Sequence, residues 1–514
     1  MNTIKFSTII FALLFISCES SKKEQNKSAE TIKHPNIVYI LADDMGYGDL
    51  KSLNPDSKIP TPNMDQVVKN GVHFTDAHTN SAVCTPTRYG VLTGRYAFRT
   101  RLKNGVTWGY TPSLIEEGRE TVASFMKQNG YQTACIGKWH LGLDWPKKDE
   151  SKEIKDIQWN ENVPKGYEDN VDYSKRVGGG PADHGFDHSL IIPASLDMSP
   201  YVYIRDGYVV EQPLEYTEGK EQQDAGRGVF WRPGKVAQSF DFDQVLPSFV
   251  DSATQYIADQ ANQEKPFFLY LPLPAPHTPW LPTEGYQGKS NADTYGDFVV
   301  MVDDMIGKVI KQVKDAGVEE NTLIIITSDN GSDWRPDDKE KTGHQANYIY
   351  KGRKADIYEA GHRVPYIAQW KGVIPAGHQS SQVICTTDLL ATMAGLLDKP
   401  LVENAGEDSF NLWPAYIGVA EKPIREATIH HSLHGAFAIR KGKWKYTAHL
   451  GSGGFSVPEI IEFSEGEALG TLYDMENDPQ EKNNLYMKNP KTVQELSQLL
   501  EKYKVQGYSR VISE

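Results

Sequence analysis

The sequence predicts an α/β protein: a mostly parallel sheet sandwiched by helices, followed by a smaller C-terminal α+β subdomain. Three observations predict it. Up to about residue 400, strand-like apolar runs alternate with helical runs, the pattern of βα units. Ligands of such sheets bind beyond the carboxyl ends of the strands. The strand ends here carry polar, reactive residues: Asp43-Asp44, Cys84 with Arg88, Lys138 with His140, His277, and Asp329-Asn330. After about residue 400 the texture changes, and residues 427–450 suggest antiparallel strands with a hairpin around Gly442.

In chain order, residues 1–18 read as an export signal. Lys5 gives a basic start, and the apolar run 6–16 is too short for an ordinary membrane span. It ends L-F-I-S-C, which predicts a lipoprotein-type signal with Cys18 as the lipidated residue; ordinary cleavage nearby is the alternative. The polar stretch 19–33 reads as a flexible tether. A catalytic domain is expected over 34–400 and the C-terminal subdomain, with a small antiparallel sheet and a terminal helix, over 401–514.

Residues 36–42 (N-I-V-Y-I-L-A) form a buried strand that ends directly in Asp43-Asp44. Thr61-Pro62 opens a short helix closed by Gly71. A strand over 72–77 leads to Cys84, and a helix is expected to start near Pro86. Cys84 then sits at a helix N-terminus, which favours an anion. A helix over 119–129 precedes the strand 131–137, which ends in Lys138-Trp139-His140. Residues 145–239, rich in Gly, Pro, Tyr and Asp, read as insertions and loops over the sheet edge. A helix over 242–263, a strand over 266–273 and P-A-P-H-T-P with His277 follow. Then come a helix over 291–316, the strand 323–328 with Asp329-Asn330-Gly331, a strand over 365–370 and a helix over 387–397.

The chain has 514 residues, and its 39% hydrophobic and 24% charged content fits a globular protein of two to three domains. A net charge of −14 argues against general nucleic-acid binding. It also means that an anionic substrate needs a locally basic pocket. The four cysteines form no metal-type C-x-x-C pair, and Cys135 and Cys385 read as buried thiols.

Asp43, Asp44, Asp329 and Asn330 offer only hard oxygen ligands, which suit calcium or magnesium rather than zinc. Three aspartates, one divalent ion and the cations Arg88, Lys138 and Lys354 leave a surplus of about two positive charges, enough to hold sulfate or phosphate.

On these pieces the chain resembles the type I sulfatases of the alkaline phosphatase superfamily. They are L-A-D-D-M-G-Y-G-D-L (41–50), C-T-P-T-R (84–88), G-K-W-H-L-G (137–142), P-H-T-P (276–279), S-D-N-G (328–331) and K-A-D-I-Y-E-A-G-H-R (354–363). L-Y-D-M-E-N-D-P, near the C-terminus, also resembles a family segment. The resemblance implies that Cys84 is oxidised by a formylglycine-generating enzyme. It implies calcium on Asp43, Asp44, Asp329 and Asn330, with the modified Cys84 as a further ligand. Arg88 then lowers the pKa of a formylglycine-hydrate nucleophile, Lys138 and Lys354 clamp sulfate, His277 protonates the leaving oxygen and His140 assists at the formylglycine hydroxyls. A gem-diol can attack sulfur with one oxygen and expel sulfate through the other, which a thiol cannot. Two positions depart from the family pattern: Thr87 stands where Ser is common, and Ala360 where Gly is frequent.

His184 and His434 are the expected substrate-binding residues, because they lie in irregular segments able to cover the sheet end. His188, Trp334, Arg335, His344, His430 and His431 are further candidates to line a substrate pocket, each weighed against a surface or structural role, which is favoured. The substrate implied is a sulfated glycan of the ulvan or carrageenan type, by resemblance to sulfatases of marine polysaccharide-degrading bacteria. The signal implies an exported enzyme, lipid-anchored on the periplasmic or cell-surface side of a bacterial membrane. The rival readings are a phosphodiesterase or phosphonate hydrolase of the same superfamily and a glycan-binding protein with a retired catalytic site.

Overall fold

The computed structural model describes residues 34–154, 166, 168–220 and 227–510. The signal 1–18, Cys18 and the tether 19–33 lie outside the described residues. Among the described residues, no helix is long and apolar enough to cross a membrane.

The central strand is Asn36–Asp43, and all eight of its residues are buried. A strand covered on both faces reads as one apolar run, as this one does. It lies between Phe267–Pro276 and Thr322–Ser328 and is parallel to both. Gln132–Lys138 extends the parallel array beyond Phe267–Pro276, and His188–Ile192 extends it further. The two margins turn antiparallel: Tyr366–Gln369 and Val72–Phe74 on one side, Ile204–Arg205 and Tyr208–Val209 on the other. His378–Ser380 closes the first margin, giving a ten-stranded sheet. Because the inner strands are parallel, the carboxyl ends of Asn36–Asp43, Gln132–Lys138, Phe267–Pro276 and Thr322–Ser328 emerge at one edge.

Two groups of helices flank the sheet. Val245–Gln260 and Asp293–Asp315 pack on each other and on the strand Phe267–Pro276. Asp293–Asp315 buries Phe298, Met301, Val302, Met305, Ile306 and Val309, the three-and-four spacing of an amphipathic helix. Cys84–Thr93 and Val122–Gln128 pack with Leu389–Leu396. A second sheet, Thr428–His431, Phe437–Lys441, Trp444–Thr447 and Thr471–Asp474, is wholly antiparallel. The helix Pro490–Gln506 covers it through Val493, Leu496 and Leu500, in a core shared with Tyr96 and Phe98.

Three local expectations change. The segment 145–239 is not only loop over the sheet edge: it supplies His188–Ile192, Ile204–Arg205 and Tyr208–Val209 to the large sheet. Strands this short carry no readable period and are specified by pairing. The run 72–77 is split, with Val72–Phe74 in the large sheet and Ala77–His78 paired to Ile384–Cys385. The helix at the cysteine motif starts at Cys84, two residues before Pro86. Pro86 still falls in the first turn, where a missing N–H costs nothing.

Candidate active site

The four parallel strand ends and the helix Cys84–Thr93 converge on one buried cluster. Lys138, at the end of its strand, donates to Asp43 Oδ2 at 2.6 Å and to Ser195 Oγ at 3.1 Å. Arg88, one helical turn after Cys84, places Nη2 2.8 Å from Asp329 Oδ2 and 3.6 Å from Asp43 Oδ2. Its Nη1 donates to the Lys138 carbonyl at 2.8 Å. Lys354 sits 2.7 Å from Asp44 Oδ1, and Asn330 Nδ2 donates to the same oxygen at 2.6 Å. His277 Nε2 lies 3.8 Å from Asp44 Oδ2. All of these side chains are buried.

Backbone strain concentrates here. Asp44, His140 and Ala355 are non-glycine residues in the left-handed region, at φ 67°, 57° and 76°. Such strain persists only where the surroundings over-determine it. Ala360, by contrast, is not among the left-handed residues and sits in the short helix Glu359–His362, so its extra methyl over glycine meets no backbone objection.

The electrostatics follow from burial and pairing. Burial alone would raise the Asp43 carboxyl, but Lys138, His277, Arg88 and Lys354 outweigh it and hold Asp43 well below the usual carboxylate range. Burial and then the charge of Asp43 push Asp329 up to about 7, against Arg88 and Lys138. Two carboxylates therefore compete for too little positive charge in one dry space. Burial would lower Lys354, but Asp44 keeps it above its ordinary value and charged. Burial pushes the Cys84 thiol up to about 11, with Lys138 and Lys354 opposing. On that value only about one thiol in 10⁴ is ionised at pH 7, so an unmodified Cys84 is a poor nucleophile.

The donor set fits a divalent cation. Asp43, Asp44 and His277 bring ligand atoms within 4.8 Å of one another. Asp43 Oδ1 and Asn330 Oδ1 are buried acceptors with no hydrogen-bond partner among the described residues. Hard oxygens left without donors beside two competing carboxylates are what a calcium-type ion satisfies. His277, expected as a proton donor, also borders this group.

The two histidines differ in tautomer. His140 Nε2 donates to the Thr107 carbonyl at 2.7 Å, which leaves Nδ1 as a buried lone pair without a partner among the described residues. Burial, then Lys138 and Arg88, hold this imidazole well below its ordinary value, so it is neutral. His277 Nδ1 donates to the Thr278 carbonyl at 2.6 Å, leaving Nε2 towards Asp44. Burial and Lys354 lower it, against Asp44 and Asp43.

One pocket takes in Asp44, Cys84, His140, His277 and Lys354 on its floor. Its walls are Val83, Val106, Asp197, Met198, Arg227, Arg232, Trp280, Tyr295, Asp333, Leu433 and Phe455. Arg88, Lys138, Asp43, Asp329 and Asn330 form the layer beneath.

The structure places the two expected substrate-binding histidines outside the lining of this pocket. His184 does not line this pocket; it is buried in a stack on Trp139, with its carbonyl accepting from Thr121 Oγ1. His434 is half exposed and turns to Glu459 at 3.3 Å; its neighbour Leu433 reaches the pocket instead. Sequence reasoning missed Ser195, Asp197 and the aromatic walls Trp280 and Phe455, and only Trp280, next to P-H-T-P, lay beside a motif. It also missed the support under the aspartates. Asp49 accepts from His344 Nε2 at 2.8 Å and from the Tyr295 hydroxyl at 2.6 Å, and that hydroxyl lies 3.1 Å from the Asp44 carbonyl. Asp49 belongs to the 41–50 motif, so its presence there was the available signal.

Comparison with known proteins agrees with this geometry. A family profile described as Sulfatase matches residues 35–399. An N-acetylgalactosamine-6-O-sulfatase of Bacteroides thetaiotaomicron is 31% identical, over 94% of this chain and 96% of its own. A solved structure from work on glycosaminoglycan metabolism by Bacteroides thetaiotaomicron superposes with a TM-score of 0.77 at 30% identity, covering 92% of this chain and 99% of the other. The structure of Ps i-CgsB in complex with k-i-k-neocarrahexaose shares the fold, with a TM-score of 0.68 at 24% identity, over 93% and 94% of the two chains. The mostly parallel sheet with flanking helices is the alkaline-phosphatase-like architecture of these proteins, and the chain belongs to the sulfatase family of sulfuric ester hydrolases.

Proposed function

We propose that this sulfatase removes sulfate from a carbohydrate, with Cys84 converted to formylglycine and calcium held by Asp43, Asp44, Asp329 and Asn330. The observation that carries the reading is the pocket floor, where Cys84 at a helix start faces Lys354, His140 and His277 above a layer of paired charges. The family generally uses a formylglycine and a divalent metal. The formylglycine hydrate supplies an oxygen nucleophile where the buried thiol supplies none. A divalent cation held by these aspartates would offset their charge and favour an anionic substrate.

The chain's own residues do the rest. Lys354 and Lys138 hold sulfate oxygens, releasing part of their hold on Asp44 and Asp43. Arg88 fixes Asp329 and the Lys138 carbonyl. His140 Nδ1, an unpaired acceptor, takes a proton from the hydroxyl at position 84. His277, anchored through Nδ1, presents Nε2 to the leaving oxygen and protonates it; a bound sulfate beside it favours the imidazolium. Sulfated carbohydrate as substrate rests on the relative of that activity and on the apolar, aromatic pocket walls. A glycan of the ulvan or carrageenan type remains the proposed source.

Sulfate release from a panel of defined sulfated oligosaccharides tests this, with phosphate diesters as the control for the rival chemistry. Within it, the leaving group separates roles. A sugar alkoxide leaves poorly and needs an acid, whereas nitrophenolate does not. His277→Ala is expected to lower kcat/KM for sugar sulfates about 100-fold or more, and for aryl sulfate less than about tenfold. Lys354→Ala should cost both substrates about equally, on the order of 100-fold. Equal losses in His277→Ala would make it a binding residue and move the acid to Lys138 or His140.

The enzyme is further proposed to be exported and lipid-anchored through Cys18, on the strength of L-F-I-S-C. Full-length protein should partition into membranes and carry lipid, and Cys18→Ala should do neither. An unlipidated mature N-terminus downstream of Cys18 overturns the anchor.

A further inference from the structure

Asp197 lies on the pocket wall with one buried carboxylate oxygen left over among the described residues. It is buried, 3% exposed, and lines the same pocket as Cys84 and His277. Its Oδ2 is paired with Arg232. Its Oδ1 has no hydrogen-bond partner among the described residues. A buried anionic acceptor without a donor is destabilising unless a ligand supplies one.

The rest of the wall is charge-balanced. Arg232 is held by Asp197, Arg227 by Asp338, and Asp333 by Arg353. Each wall arginine thus already faces a carboxylate, and the positive charge for sulfate would come from Lys354 and the proposed cation at the floor. Between the charged pairs the wall carries the apolar residues Val106, Met198, Trp280, Leu433 and Phe455, with Thr278, Tyr295 and Ser332 beside them. Such a surface takes the C–H face of a pyranose ring, and an aromatic side chain packs well against it.

We propose that Asp197 sets the substrate class: it accepts a hydrogen bond from a hydroxyl or amide N–H of the sugar that carries the sulfate, so the pocket takes a neutral sugar sulfate and rejects a sulfated uronate. This rests on the sulfatase reading and extends it to the sugar itself. A hydroxyl or acetamido group satisfies Oδ1. A uronate carboxylate in that place adds a second anion beside Asp197 and finds Arg232 already paired. Specificity then comes from an attraction and a repulsion at one residue.

Asp197→Asn tests this, because it keeps the shape, removes the charge and frees Arg232. The binding arm uses full-length Cys84→Ala protein and calorimetry with N-acetylgalactosamine 6-sulfate, galactose 6-sulfate and a 2-O-sulfated uronate. The neutral sugars should bind and the uronate should not. Adding Asp197→Asn should weaken the neutral sugars about 10- to 100-fold and improve the uronate. The kinetic arm uses matured enzyme, where Asp197→Asn should lower kcat/KM for the neutral sugar at least about tenfold more than for nitrophenyl sulfate. Wild-type enzyme that binds or cleaves the uronate as well as the neutral sugars overturns the proposal, and that comparison needs no variant to fold. So does an Asp197→Asn protein whose losses on sugar and aryl sulfate are equal and whose neutral-to-uronate ratio is unchanged; Asp197 would then only support its neighbours. If matured enzyme releases sulfate from no ester, the sulfatase reading falls, and the binding arm still reports the sugar preference separately.

Discussion

Cys84→Ala is expected to abolish sulfate release, by about 10⁴-fold or more on sugar and aryl sulfates alike. The side chain is small and buried at a helix start, so the fold should persist and a thermal melt should change little. The same loss should appear without any mutation when the chain is made with no formylglycine-generating enzyme. A thiol pushed up to about 11 by burial is essentially un-ionised at neutral pH and cannot substitute. The peptide that contains residue 84 should therefore carry the mass of an aldehyde in active preparations and of cysteine in inactive ones. Fully active enzyme with only cysteine at position 84 would refute the role. Thr87, in place of the common serine, leaves C-x-P-x-R intact, and its hydroxyl donates to the Ser81 carbonyl at 3.1 Å. That contact shapes the entry to the helix.

The second large effect is expected from the cation. Chelation should bring turnover to background, and calcium should restore it. Asp329→Ala should lose bound metal and activity together. It should also lose stability, because Arg88 is fully buried and would keep only its contact to the Lys138 carbonyl and a longer one to Asp43. Removing one partner of a buried ion pair costs about 3–5 kcal/mol. Asp43→Asn should show a milder version, since Lys138 retains Ser195. Metal content by elemental analysis, turnover and melting temperature separate the two consequences. Full activity in demonstrably metal-free protein would overturn the metal assignment. Loss of stability without loss of metal would make Asp329 a counter-ion for Arg88 rather than a ligand.

Asp43, Asp44, Lys138, His277, Asp329 and Asn330 each follow an apolar run long enough to identify as a strand. Parallel strands leave their carboxyl ends on one edge, so those residues had to be near neighbours once the sheet was parallel. Cys84 and Arg88 are joined by one helical turn, which is again local. The central strand and the long helix Asp293–Asp315 were readable because their burial patterns repeat within the element itself.

Pairings across the chain were not readable in this way. His188–Ile192, Ile204–Arg205 and Tyr208–Val209 are too short to show a period, and they are strands because each finds a partner: Gln132–Lys138 for the first, the first for the second and the second for the third. His184 lies in an irregular segment able to cover the sheet end, yet its ring is buried in a stack on Trp139. Asp197 and Ser195 belong to no motif; Asp197 lines the pocket and Ser195 meets Lys138 beneath it only because the chain turns back after His188–Ile192. The sequence by itself determined the reactive floor, since its residues are tied to the ends of regular elements. Tertiary structure alone decided the walls, which are contributed by residues remote in sequence and brought together by pairing and burial.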